Sequence, residues 1–67
     1  MKIDENTTLG ELQAWMRNRS VSVTFDFSER GFRAVVLDDF GRSGVSGWGY
    51  DIATAIDVAK DYYEAML

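Results

Sequence analysis

Hydrophobic positions recur along this chain with two different periods, helical towards both ends and alternating between them. In "TLGELQAWMRN" the apolar stripe Leu9, Leu12 and Met16, with Trp15 on its shoulder, has helical spacing, while Glu11, Gln13, Arg17 and Asn18 face away. Thr8 followed three residues later by Glu11 is the reciprocal capping pattern that satisfies orphan amides at a helix start. The spacing predicts a helix from Leu9 to Asn18. "SVSVTFDF" then alternates, with Val21, Val23, Phe25 and Phe27 on one face and Ser22, Thr24 and Asp26 on the other, the pattern of a half-buried strand. "SERG" supplies a turn whose glycine suits a left-handed backbone, and "FRAVVL" answers as the second strand of a hairpin with Phe32, Ala34 and Val36 inward. "DDFGRSG" reverses the chain into a third strand around Val45 to Tyr50. "DIATAIDVAKDYYEAML" returns to helical spacing with Ile52, Ala55, Ile56, Ala59, Tyr63 and Met66, and Asp51 stands where it caps the helix and complements its dipole.

These elements predict an α+β fold of order α-β-β-β-α, a three-stranded antiparallel meander with two helices packed on one face. No repeat, linker or low-complexity tract interrupts it, so residues 1–67 form one domain. At 67 residues, 46% hydrophobic and 13% aromatic, the core is small but the composition is that of a folding chain.

Chemistry is bounded mainly by what is missing. With no cysteine and no histidine, disulfides, thiolate or imidazole zinc sites and nucleophile–histidine pairs are excluded. The opening "MKIDENTTLG" lacks the apolar run of a signal peptide, and no segment approaches a membrane span, so a cytoplasmic protein is expected. The net charge of −4 is segregated: both ends are acidic, and five arginines lie between Arg17 and Arg42.

"GRSGVSGWGYD" raises the question of a phosphate loop. A loop of that kind needs a lysine and a hydroxyl at the helix start, or a third glycine after Gly47 and Gly49; instead Tyr50, Asp51 and Ile52 follow, and a carboxylate stands in the anion's place. The glycines are read as architectural, permitting tight turns and a bulge or close helix approach in the third strand. Asp38, Asp39 and Asp51 offer oxygen ligands, but adjacent strand residues point to opposite faces. No metal, no cofactor and no catalytic residue are expected, since so small a chain has little volume for a cleft that shifts proton affinities.

The order of elements resembles the double-stranded-RNA-binding-domain fold over almost the whole chain. That family meets phosphates with a lysine-rich helix start, where this chain has Tyr50, Asp51, Ile52, Ala53 and Thr54, and the departure argues against duplex-RNA binding. More locally, "GFRAVVLDDFG" followed by "GVSGWGYDIATAIDVAKDYY" is similar in rhythm to HicB-type antitoxin domains, without the prolines usual in that family's turn. In style, an acidic chain without cysteine or proline looks like the small inhibitor proteins of phages and mobile elements, anti-CRISPR and anti-restriction proteins among them.

The reading that results is a non-enzymatic protein-binding module that blocks a host nucleic-acid-handling complex. Asp57, Asp61 and Glu64 lie on one stripe of the second helix as a negative ridge spaced like phosphates. Phe40, Trp48 and Tyr50 serve as apolar anchors, with Arg33 and Arg42 beside them, because aromatic and arginine side chains are the usual hot spots of interfaces. Whether Trp48 and Tyr50 belong to the core or the surface is open at this stage. Rival readings are a nucleic-acid-binding domain using the arginines with Trp15 or Trp48 for stacking, and an antitoxin-like regulatory partner. A homodimer is compatible with each, since Val35 and Leu37 lie on the outer face and the third strand leaves an edge.

Overall fold

The computed structural model describes residues 1–38 and 44–66. The elements follow the expected order: α1 (Leu9–Arg19), β1 (Val21–Ser28), β2 (Gly31–Asp38), β3 (Val45–Gly49) and α2 (Ile52–Ala65). The three strands form one antiparallel sheet in the order β1-β2-β3. Asp39, Phe40, Gly41, Arg42 and Ser43, which connect β2 to β3, lie outside the described residues.

Helix α1 begins as the Thr8/Glu11 pattern predicts. The Glu11 N–H donates to Thr8 Oγ1 at 3.0 Å, and the Thr8 N–H donates to Glu11 Oε1 at 3.2 Å. It ends at Ser20, whose left-handed backbone (φ 54°, ψ 49°) turns the chain directly into β1. The hairpin between β1 and β2 closes over Glu29 and Arg30, and Gly31 takes the left-handed conformation foreseen for it, with φ +112°.

Pairing sorts the sheet into two faces. Val23 lies opposite Val36, Phe25 opposite Ala34 and Phe27 opposite Phe32, while Phe32, Ala34 and Val36 in turn face Gly49, Gly47 and Val45. Helix α2 packs on this inner face over β2 and β3. The reason it comes so close is Gly47: a Cβ there would sit 2.3 Å from the Ala59 nitrogen and 2.7 Å from the Ala55 carbonyl oxygen. Gly49 repeats the arrangement one step along, against Ala55 and Thr54. A stripe of alanines on the helix therefore lies directly on the glycine backbone of β3, and Ala34, Ala55 and Ala59 are fully sealed. The glycines of "GVSGWG" are thus architectural, through close helix approach.

The core comprises Ile3, Trp15, Val21, Ala34, Val36, Ala55, Ile56 and Ala59, with Leu12, Met16, Val23, Phe32, Ile52 and Tyr63 packed around it. Several positions depart from the pattern expected of them. Trp15, placed on the shoulder of α1, is its buried residue, and Leu9, placed in the stripe, is 80% exposed. The cause is the junction with α2: Trp15 stacks edge-on against Tyr63 with centroids 6.5 Å apart and donates its indole N–H to Glu64 Oε1 at 3.0 Å. This turns the helix so that Leu9, in its first turn, lies beyond the core. Met66 is exposed because α2 has already ended at Ala65. Phe25 and Phe27 share the inner face with Val21 and Val23, yet they are 56% and 70% exposed. They sit towards the hairpin tip, past the cover that the helices give to the other half of β1.

The N-terminal segment completes the core. Ile3 is buried, and its N–H donates to Asp57 Oδ1 at 2.7 Å. Lys60, 3% exposed, donates to the Met1 carbonyl and bridges Asp57 at 3.4 Å and Asp61 at 3.1 Å. Burial by itself would lower the lysine pKa, but the hydrogen bond and charge of Asp61, with those of Asp57, outweigh it and hold the group above 10.5.

Candidate protein-binding surface

On the outer face of the sheet, β1 contributes Ser22, Thr24 and Asp26, β2 contributes Arg33, Val35 and Leu37, and β3 contributes Ser46 and Trp48. Both helices build their core on the opposite side. Three of these residues form a cross-strand row. Asp26 pairs with Arg33 and Arg33 with Trp48 in the ladder, so the three side chains stand abreast. The Arg33 guanidinium donates to Asp26 Oδ2 at 2.7 Å and lies 5.9 Å from the centroid of the Trp48 ring. The carboxylate and the ring together fix a side chain that otherwise loses much rotamer entropy on contact with a partner. Trp48 remains 44% exposed and Tyr50, just past the end of β3, 90% exposed. The question left open by the sequence is answered: both aromatics are surface residues. Val35 and Leu37, half-buried, extend the row with apolar surface.

Of the residues singled out in the sequence, Arg33 and Trp48 are thus brought together on this face, and Tyr50 follows, exposed, just past the end of β3. Phe40 and Arg42 lie outside the described residues. The carboxylates of α2 have another occupation. Asp57 accepts from the Ile3 amide and neutralises Lys60, and Glu64 accepts the Trp15 indole N–H. Asp61, the one of the three that is mostly exposed, also bridges Lys60. The expected bare ridge of three negative charges is therefore corrected: two of the three are tied into the packing of the N-terminal segment and α1 against α2, and a buried ammonium offsets the charge locally.

That ammonium escaped sequence reasoning because a lysine among acids on a polar stripe reads as exposed. The available signal was geometric: Lys60 follows Ala59 and lies four residues after Ile56, within the apolar spacing of the helix. Asp51 behaves as expected, accepting from the Thr54 N–H at 2.7 Å, and this hydrogen bond lowers its carboxyl pKa below 3.8. An open concavity between the N-terminal segment and the start of α2 is lined by Asp4, Glu5, Asp51 and Asp57 with Lys2, but among the described residues no three acids converge as a metal site. No described helix is long and apolar enough to cross a membrane.

No protein family, curated protein or solved structure matches the chain, so the functional reading rests on its own side chains.

Proposed function

We propose that this chain is a non-enzymatic protein-binding module that docks through the outer face of its sheet, with Trp48 and Arg33 as anchors and Tyr50 at the margin. The observation that carries the reading is the Asp26–Arg33–Trp48 row. An exposed tryptophan lies within cation–π reach of a guanidinium that is itself paired with a carboxylate, on a face opposite the one that builds the core. Preordered aromatic and arginine side chains lose little entropy when a partner covers them, and they are the residue types that dominate interface energetics. Val35 and Leu37 supply adjoining apolar surface.

The partner class we favour is a nucleic-acid-handling complex, which the protein would block in the manner of the small acidic inhibitors of mobile elements. The support is compositional: a net charge of −4 and neither cysteine nor histidine for catalysis. Negative surface at the acidic ends of the chain steers the module towards basic partners, while the anchors hold it there. Of the stripe on α2, Asp61 is the acid left exposed to share in this steering, because Asp57 and Glu64 are engaged within the fold.

Paired affinity captures from the native host test this, one with the wild-type chain and one with Trp48→Ser. The partner should be retained by the first and lost by the second, with both chains equally folded by circular dichroism. A partner held equally by Trp48→Ser would overturn the assignment of the outer face. Mobility shifts with duplex RNA and single-stranded DNA at low salt should show no complex; a complex abolished by Arg33→Ala would instead establish nucleic-acid binding by the sheet.

A further inference from the structure

Strand β1 is an edge strand, paired with β2 on one side only. Proteins ordinarily protect such an edge with lysine, proline, a bulge or a short strand. None of these devices is present in "VSVTFDFS": the strand runs eight residues, and its register with β2 is unbroken from Val21 opposite Asp38 to Ser28 opposite Gly31. Its single charge, Asp26, is neutralised by Arg33 of the neighbouring strand. The inner face of the same strand carries Phe25 and Phe27, 56% and 70% exposed, and the Phe27 ring lies 4.9 Å from that of Phe32, so the apolar surface continues into β2. A bare edge and an uncovered apolar strip thus coincide on one strand.

We propose that two copies of this chain pair antiparallel along β1, about a two-fold axis at Thr24, to form one continuous six-stranded sheet. This register is selected by the sequence of the strand itself. With the axis at Thr24, Phe25 comes opposite the partner's Val23 and Phe27 opposite the partner's Val21. Each exposed ring then lies against a β-branched side chain and beside the helices that cover the partner's valines. The same register sets Asp26 opposite the partner's Ser22, so each carboxylate meets a hydroxyl donor and not a second acid. An axis at Asp26 would place two carboxylates face to face, and an axis at Phe25 would carry Val21 past the end of the partner's strand. A slip by one residue would turn the phenylalanines to the wrong face. The association leaves the outer face, with Trp48 and Arg33, open, and it stands independently of the protein-binding role given to that face.

Light scattering on the full chain tests the pairing. The wild type should have twice the 7.6 kDa chain mass, and Trp48→Ser should leave that mass unchanged. Thr24 is exposed, and at the axis each copy of it faces the other. Thr24→Lys and Thr24→Glu should therefore each run as a single chain, because like charges meet, and an equimolar mixture of the two should recover the doubled mass. Phe27→Ser, also at an exposed position, should raise the dissociation constant at least about tenfold with no change in circular dichroism. A wild type of single-chain mass at every concentration would overturn the proposal. So would a Thr24→Lys chain that keeps the doubled mass, since in the Phe25-centred register its lysine would lie opposite Asp26 and strengthen the pair. Should the Thr24 variants unfold, Phe27→Ser decides alone: an unaltered dissociation constant rejects the pairing.

Discussion

Gly47 is the residue on which the packing of α2 depends. With the Ala59 nitrogen 2.3 Å and the Ala55 oxygen 2.7 Å from where a Cβ would lie, backbone meets backbone and no side chain is free to swing aside. Gly47→Ala should destabilise the fold by about 2–3 kcal/mol, at the upper end of ordinary overpacking, as a lowered midpoint in urea denaturation. Lys60 makes a second residue-scale prediction. Its pKa is raised in the fold, so its contribution to stability is complete below the unfolded value of 10.5 and is lost as pH rises through the folded value. Thermal unfolding followed from pH 8 to pH 12 should show a fall in stability above roughly pH 10.5 that Lys60→Met removes, whatever that variant's stability at neutral pH. Asp51 works in the opposite direction: its carboxyl is lowered by the Thr54 amide, so its capping contribution is present above 3.8 and disappears as pH falls below it. These roles differ in legibility. Asp51 before an apolar helical stripe announces a cap, whereas the local mark on Lys60, its place four residues after Ile56, is masked by the acids around it, and its cover comes from Met1 at the far end of the chain.

Among the elements, α1 is held by few partners, and Trp15 is the principal one. Its ring meets Tyr63 edge-on and its indole N–H reaches Glu64, joining the two helices at residues about fifty apart in sequence. Trp15→Phe, which keeps a ring and deletes the hydrogen bond, should lower stability by about 1 kcal/mol, and Trp15→Ala by about 3–5 kcal/mol. The second figure rivals the whole stability of a domain this small, so Trp15→Ala should be largely unfolded at room temperature by circular dichroism. Strand and helix boundaries were legible because they rest on local chemistry: the Thr8/Glu11 box, the alternation of β1, and the glycine after "SER". The extent of the buried stripe of α1 was not legible. Leu12 and Met16 pack against the core as their period predicts, but Leu9 does not, and Tyr63 and Glu64 decide that Trp15 turns inward.

For the molecule as a whole, the sheet separates two kinds of surface. Its inner face carries the core on β2, β3 and the first half of β1, and its outer face carries the Asp26–Arg33–Trp48 row. Substitutions on the two faces should therefore behave differently. Val36→Ala, at a fully buried position, should cost about 1–3 kcal/mol in urea denaturation, whereas Trp48→Ser should shift stability by less than about 1 kcal/mol. If Trp48→Ser proved as damaging as a core substitution, the tryptophan would belong to the scaffold and not to an interface.

By itself the sequence determined the order α-β-β-β-α, the helix starts, the hairpin, and the role of the glycines in β3, because hydrophobic period, capping and turn chemistry act over a few residues. It also placed Arg33 and Trp48 in neighbouring strands. Only the tertiary structure decided what lies across from what. It tied Asp57 and Glu64 to Ile3 and Trp15, sealed Lys60, and left Phe25 and Phe27 uncovered on a face whose other half is core. Each of these outcomes depends on contacts between residues distant in the chain, and on how far two short helices can reach along a sheet, which no local pattern records.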